Sequence, residues 1–224
     1  MSLIVIRDLV QGSEEWHAAR RGIVTASTVG QLVTPSTLKP AANDTSRSLT
    51  ATLVAERITG YTEPSRMTDD MWRGIEDEPR AREKYAEHHA PVTEYGFMIR
   101  EGDGWRVGYS PDGLVGDDGL IEIKSRRAKR HLQTILSDQV PAENMAQIQA
   151  GLLVSGRAWC DYVSYSGGMP LWVKRVHPDA KWHQAIIAAV RQFETTAAQM
   201  VTAYQTAVHG LPMTERVLEE EMVI

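Results

Sequence analysis

The chain has a single cysteine, Cys160, and no apolar run near the ~18 residues that a membrane-crossing helix needs; Ala185–Val190 is typical of the longest. One thiol excludes an internal disulfide framework and a cysteine-built zinc cage. Met1–Arg7 meets a charge too early for a secretory signal. A reducing, cytoplasmic setting without membrane attachment is therefore expected. The sequence has no internal repeat and no low-complexity segment. His88, His89, His177 and His183 show no metal-ligand spacing.

What is present suits a globular domain. At 224 residues the chain is the size of one large domain, and folding should bury roughly 70% of the surface of the open chain. With 42% hydrophobic and 24% charged residues it is too apolar for disorder and too charged for a membrane protein. Lys and Arg number 24 against 29 Asp and Glu, a net charge of −5 that on average disfavours nucleic acid. The charges are clustered, however. Asp69, Asp70, Glu76, Asp77 and Glu78 form one acidic group and Glu219–Glu221 another, while Arg126, Arg127, Lys129 and Arg130 form a basic one. Distribution outweighs the sum.

Periodicity and end signals divide the chain into a helical part over 1–90, a sheet over 92–176 and a C-terminal helix over about 180–208. Ser13 reads as an N-cap for a helix ending near Arg20 and Gly22. Thr25 or Ser27 is placed to cap a short helix carrying Val29, Leu32 and Val33. Thr34–Ser46 reads as a mobile loop. Helices follow over Leu49–Ile58, closed by Gly60, and over Met71–His89, where Pro79 implies a kink or a fresh start. Strands are expected at Val92–Ile99, Trp105–Tyr109 and Leu120–Lys124, a helix at Ala142–Val154, and a hairpin of Ala158–Tyr165 with Leu171–Val176. The order implies an α/β (α+β mixed) fold with a central mixed sheet flanked by helices. Trp16 reads as a core anchor rather than a base-stacking group, Trp182 and Met200 as core or subunit-interface residues, and Cys160 as a small buried hydrophobe.

The segment Gly108-Tyr-Ser-Pro-Asp-Gly-Leu-Val, followed by Gly119-Leu-Ile-Glu-Ile-Lys-Ser, carries the chemistry. Asp112 sits on a Pro-Asp-Gly turn. Glu122 and Lys124, two apart on a strand, share a face, and Ile121 and Ile123 point to the opposite, buried one. A hairpin would bring Asp112 alongside Glu122. Two hard carboxylates converging on one point suit Mg²⁺ or Mn²⁺, with the Ile123 carbonyl between them as a further ligand. Such a metal polarises a phosphoryl oxygen and acidifies bound water, and Lys124 would orient that water or stabilise negative charge. Taken alone, the same residues fit a turn aspartate and a surface ion pair.

Further segments extend the pattern. Gly74-Ile-Glu-Asp-Glu-Pro-Arg-Ala-Arg offers Glu78 as a third carboxylate. Gln147 and Gln149 stand two apart on the helix after the E-x-K strand, and Trp16-His-Ala-Ala-Arg-Arg-Gly-Ile-Val-Thr-Ala-Ser opens the chain. In this order, W-H-x-x-R-x-G-x-x-T-A-S, G-x-x-x-E-P-x-A-R, S-P-D-G-L, E-x-K and A-Q-x-Q, the sequence resembles the lambda-exonuclease or YqaJ-type viral recombinase nucleases of the PD-(D/E)xK superfamily. The resemblance runs from about Gly12 to Val176.

It implies a restriction-endonuclease-like core and a single nuclease domain over 1–224. The implied activity is Mg²⁺-dependent 5′→3′ exonuclease action on double-stranded DNA ends, leaving 3′ single strands for recombination by annealing. Asp112, Glu122, Glu78 and the Ile123 carbonyl would hold two Mg²⁺ ions, for which Mn²⁺ can substitute, and Lys124 would position or activate water. Arg20, Ser27, Ser110 and Gln147 match positions that grip a 5′-phosphate, and Met71 a position that wedges base pairs apart. Arg126, Arg127, Lys129 and Arg130 are expected to contact the DNA backbone. The Thr34–Ser46 loop departs from the family's basic loop, with Lys39 and Arg47 as substitutes. A homotrimeric ring and a single-strand annealing protein as partner are implied too. An endonuclease or nickase on the same fold, a catalytically silent DNA-end-binding module, and a structural protein whose acids merely hold a metal are the competing readings.

Overall fold

A computed structural model describes residues 1–64 and 66–216; the acidic segment Glu219–Glu221 lies outside the described residues. The fold is the expected mixed α/β one. Strand β1 (Ser2–Ile6) is followed by helix α1 (Glu14–Arg20), a single 3₁₀ turn (Val29–Gln31), and the short strands β2 (Val33–Thr34) and β3 (Lys39–Pro40). Helices α2 (Asp44–Thr59) and α3 (Asp69–His88) come next, then strands β4 (Phe97–Gly102), β5 (Trp105–Tyr109), β6 (Gly113–Val115) and β7 (Gly119–Ser125). Helices α4 (Ala128–Ser137) and α5 (Ala142–Ser155), strands β8 (Trp159–Tyr165) and β9 (Trp172–Val176), and helix α6 (Ala180–Ala207) complete the order.

The strands pair as β1-β4-β5, β2-β3 and β6-β7-β8-β9. The last sheet is mixed: β7 and β8 run parallel, Glu122 facing Tyr162 and Lys124 facing Ser164, while β6–β7 and β8–β9 are antiparallel. A parallel pair needs a crossover, and α4 and α5 provide it. On one face, Ala81 and Tyr85 of α3 pack with Ile121, Ile123 and Val163. The other face joins the larger core, in which Ile148 and Leu152 of α5 lie with Tyr109, Leu120, Tyr162 and the Ile186–Phe193 stripe of α6. Trp182 and Cys160 are buried there as expected, and Met200 packs at its edge.

Local rules explain several boundaries. Ser13 accepts the Trp16 N–H at 3.2 Å, as an N-cap should. Asn43 and Ser46 form a reciprocal capping box that starts α2 five residues before the expected Leu49. Gly60 closes α2 at φ +64, a left-handed value that only glycine adopts freely.

Other expectations need correction. The helix expected over Val29–Val33 is one 3₁₀ turn, because Leu32 and Val33 leave it for a hairpin. The Thr34–Ser46 segment is that hairpin plus the capped start of α2, not a structureless loop. Pro79 neither breaks nor restarts α3, whose Asp77, Ala81 and Tyr85 anchor both sides of the missing hydrogen bond. Only Thr93, in one bridge to Leu114, and 97–99 of the expected Val92–Ile99 strand pair with other strands. At Gly96 a Cβ would strike the Ile6 carbonyl, so the chain passes β1 there before pairing with it. Strands β1 and β6 and helix α4 were not expected. Helix α4 buries His131 and Thr134 and exposes Leu132 and Leu136, so its hydrophobic pattern is inverted.

Candidate active site

Asp112 lies between β5 and β6, Glu122 and Lys124 lie on β7, and Glu78 projects from α3. The β6–β7 hairpin brings them together. Asp112 Oδ2 accepts the Ile123 backbone N–H at 2.6 Å, which fixes the aspartate against the strand carrying Glu122. Lys124 Nζ lies 2.8 Å from Glu122 Oε1. Glu122 is only 1% exposed, so the pair is no solvated surface pair. Ile121 and Ile123 occupy the opposite face as expected.

Glu122 Oε1 also accepts from Gln147 Nε2 at 2.5 Å. Its second oxygen, Oε2, is buried and has no hydrogen-bond partner among the described residues. A buried carboxylate oxygen left this way is costly, which marks it as a position awaiting a ligand. The electrostatics agree. Burial and the Asp112 carboxylate push Glu78 up to about 7. Burial, only partly offset by Lys124, pushes Glu122 up to about 7, and burial raises Asp112 as well. Lys124 is lowered by burial, but Glu122 and Asp112 outweigh that and hold it above its ordinary value. Three carboxyl groups thus face two cations, Lys124 and Arg82, which offset their burial and mutual repulsion only in part.

Glu78 is drawn partly aside. Arg82 Nη2 lies 2.5 Å from Glu78 Oε1, Arg82 Nη1 lies 3.1 Å from Glu94, and Arg82 Nε donates to the Asp112 carbonyl at 2.8 Å. Among the described residues no three carboxylate, histidine or cysteine side chains close into a ready cage. Arg82 was given no role from sequence, although it lies four residues after Glu78, the spacing of an ion pair on one helix face.

The residues expected to grip a phosphate divide into two places. Residues 24–26 run alongside the end of β5: Ala26 N–H donates to the Gly108 carbonyl at 2.8 Å, and Gly108 N–H to that of Val24 at 2.9 Å. Ser27 and Ser110 both lie two residues beyond the parallel Thr25–Gly108 bridge. Ser27 is exposed, its hydroxyl 3.1 Å from Thr25 Oγ1. Arg20 stacks on Trp16 with its Cζ 3.7 Å from the ring centroid, and burial lowers it to about 10. It forms no ion pair among the described residues. Gln147 is instead held at Glu122. Gln149, two residues on, faces away and ties the His177 carbonyl to the Asp179 N–H.

Trp16 is not the core anchor expected of it. It is half-buried, and its indole N–H donates to Ser110 Oγ at 2.8 Å. The backbone behind Arg20 is clamped by residues that sequence reasoning missed. Glu56 accepts the Gly22 N–H at 2.7 Å, Arg57 donates to the Gly22 carbonyl at 2.7 Å, and Arg57 also forms a two-pronged pair with Glu194 at 2.7 and 2.8 Å.

The basic cluster also divides. Arg126, expected to contact the DNA backbone, is half-buried and donates to Asn144 Oδ1 at 2.6 Å. Arg127 pairs with Asp70, which also holds Arg73. Lys129 and Arg130 are exposed without an ion pair among the described residues. Met71 is exposed on the first turn of α3, close to the Asp70–Arg127 pair, with exposed Trp72 and Ile75 beside it.

The YqaJ-like viral recombinase domain matches residues 15–158. The chain is similar in structure to an alkaline exonuclease, LHK-Exo, from Laribacter hongkongensis. The identity is 34% and the TM-score 0.79, over 89% of this chain and 100% of that one. A structure of LHK-Exo in complex with dAMP matches with 35% identity and a TM-score of 0.78, over 89% and 100%. A phage-related exonuclease from Haemophilus somnus shares the fold at 12% identity and a TM-score of 0.64, over 81% of this chain and 96% of that one. No curated protein matches.

Proposed function

Since the chain belongs to the YqaJ-like viral recombinase domain family, we propose that it is a divalent-metal-dependent DNA exonuclease. It acts as one nuclease domain on duplex ends, from the 5′ end, and leaves a 3′ single strand. One observation carries this reading: Glu122 Oε2, buried and without a partner among the described residues, lies in a site where Asp112 and Glu78 add negative charge beside Lys124.

That site fits Mg²⁺, or Mn²⁺ in its place. Asp112, Glu122 and the Ile123 carbonyl are the residues that would hold the ion, with Glu78 as a further carboxylate for a second. When bound, the metal supplies Lewis acidity toward the phosphodiester and lowers the pKa of water. The protein residues do the rest. Lys124, charged and held by Glu122, stands where it can orient an attacking water and offset charge growing on phosphate oxygens. Gln147 and the Ile123 N–H fix the two carboxylates, so neither must reorganise. Arg82 holds Glu78 and the Asp112 backbone together.

Arg20, Ser27 and Ser110 form the 5′-phosphate grip. A guanidinium that forms no ion pair among the described residues, partly desolvated on an indole, favours a phosphate. Lys129 and Arg130 are the basic residues left to contact the duplex backbone. A homotrimeric ring and a single-strand annealing partner belong to the same reading. Light scattering of the purified protein tests the first.

The test is a linear duplex with one 5′-phosphate and one 5′-hydroxyl end, each strand labelled, beside a closed circle, with Mg²⁺ and with chelator. Metal-dependent mononucleotide release from the phosphorylated strand, with the circle intact, is expected. Cleavage of the circle would replace this reading with an endonuclease. Binding of ends without cleavage in any metal would leave a silent end-binding module.

A further inference from the structure

We propose that Trp16 is a positioning residue that sets the preference for 5′-phosphorylated ends, acting through Ser110 and Arg20. The inference rests on the phosphate-grip reading above and deepens it. Trp16 is in contact with both residues: its indole N–H donates to Ser110 Oγ, and its ring face carries the Arg20 guanidinium.

The two contacts do different things. A serine hydroxyl has one proton to give and two lone pairs that accept. The indole nitrogen is a donor only, so it must occupy a lone pair of Ser110. The Ser110 proton is then free to point elsewhere, and it has no acceptor among the described residues. Without the indole N–H, that hydroxyl is free to rotate, and its proton can turn toward water or a backbone carbonyl. With it, Ser110 is oriented as a donor, the role an incoming phosphate oxygen requires.

The ring face acts on Arg20. Residues 16 and 20 are four apart on α1, so the two side chains lie one above the other. The planar guanidinium rests on the ring, which keeps its N–H edges open for a two-pronged contact while attraction to the π face partly repays its lost hydration. The indole also reaches across sequence. It ties α1 to the Ser110-Pro111-Asp112 turn, so the grip on the terminal phosphate and the carboxylate of the hydrolytic site share one rigid segment. Register between end and scissile bond depends on that link.

The experiment measures kcat/KM on matched duplexes with 5′-phosphate and 5′-hydroxyl ends, for the wild type and for Trp16→Phe, Ser110→Ala, Arg20→Ala and Trp16→Phe with Ser110→Ala. Phenylalanine keeps a ring face and removes the donor. Benzothienylalanine at position 16, in which sulfur replaces the N–H, keeps the two-ring shape should phenylalanine disturb the fold. The phosphate-to-hydroxyl ratio is expected to fall about tenfold in both position-16 variants, the scale of one charge-assisted hydrogen bond. In the double variant it should fall no further than in Ser110→Ala alone.

A ratio unchanged by both position-16 variants overturns the proposal. So does an equal loss on the two kinds of end, since that is what a merely supporting tryptophan would produce. So does additivity in the double variant. The underlying grip is tested separately: if the wild type shows no phosphate preference, or Arg20→Ala leaves the ratio intact, that reading fails. If Arg20→Ala collapses the ratio and Trp16→Phe does not, only the role of Trp16 fails.

Discussion

Glu122→Gln should stabilise the metal-free protein at neutral pH relative to acid pH, and the amount follows from the site. The Glu122 carboxyl titrates at about 7 in the fold against 4.5 for the free side chain. Between those values the native state holds a proton that the unfolded chain has released. Stability therefore falls as pH rises through the window and levels off above it. A difference of 2.5 units at ~1.36 kcal/mol each is about 3 kcal/mol.

Glutamine mimics the protonated acid, so the variant lacks this slope, and it also removes the repulsion that Glu122 shares with Asp112 and Glu78. His183, which burial lowers, adds an opposite trend below its ordinary range, but to both proteins. Urea unfolding in chelator from pH 4.5 to 7.5 measures the difference. The variant should gain about 3 kcal/mol on the wild type across that range, or roughly 6–12 °C in Tm for a chain of this size. Added Mg²⁺ at pH 7.5 should close the gap by stabilising the wild type alone. A difference that stays flat with pH, or changes in the opposite direction, would refute the idea that Glu122 carries uncompensated charge.

Two further outcomes are expected. Lys124→Ala should lower DNA cleavage at least about 100-fold while far-ultraviolet circular dichroism stays unchanged; turnover within threefold of wild type removes Lys124 from the mechanism. Arg57→Ala should cost roughly 2 kcal/mol in urea unfolding, because it leaves Glu194, only one-fifth exposed, with the longer 3.8 Å pair to Arg106 and releases the Gly22 carbonyl. A loss below about 0.5 kcal/mol would show that the clamp behind Arg20 does not hold it.

The sequence by itself determined the local features. Ser13, Gly60 and the Trp105–Tyr109 alternation each act through neighbours within a few residues, so the start of α1, the end of α2 and strand β5 appear where end signals and periodicity place them. The E-x-K spacing was equally legible, because period-two alternation alone puts Glu122 and Lys124 on one face. Elements that run against their own pattern were not. Helix α4 turns leucines outward and a histidine inward because His131 finds Ser164 at 2.8 Å and the Pro170 carbonyl at 2.9 Å, partners supplied by β8 and the loop before β9. Strand β1 is five exposed residues whose only pairing among the described residues is with β4, about 95 positions away.

Tertiary structure alone decided how the site residues are used. Gln147 and Gln149 are alike in sequence, but a helix turns ~200° between them, and only the first reaches Glu122. Arg126 and Arg130 share one basic run, yet Asn144 captures the first and leaves the second exposed. Trp16 reads as core from its bulk, but Ser110, 94 residues on, draws its N–H to the edge of the site. Residue type sets what a side chain is able to bind. Which partner lies within 3 Å is fixed by contacts distant in the chain, and those exist only once the sheet and its helices have packed.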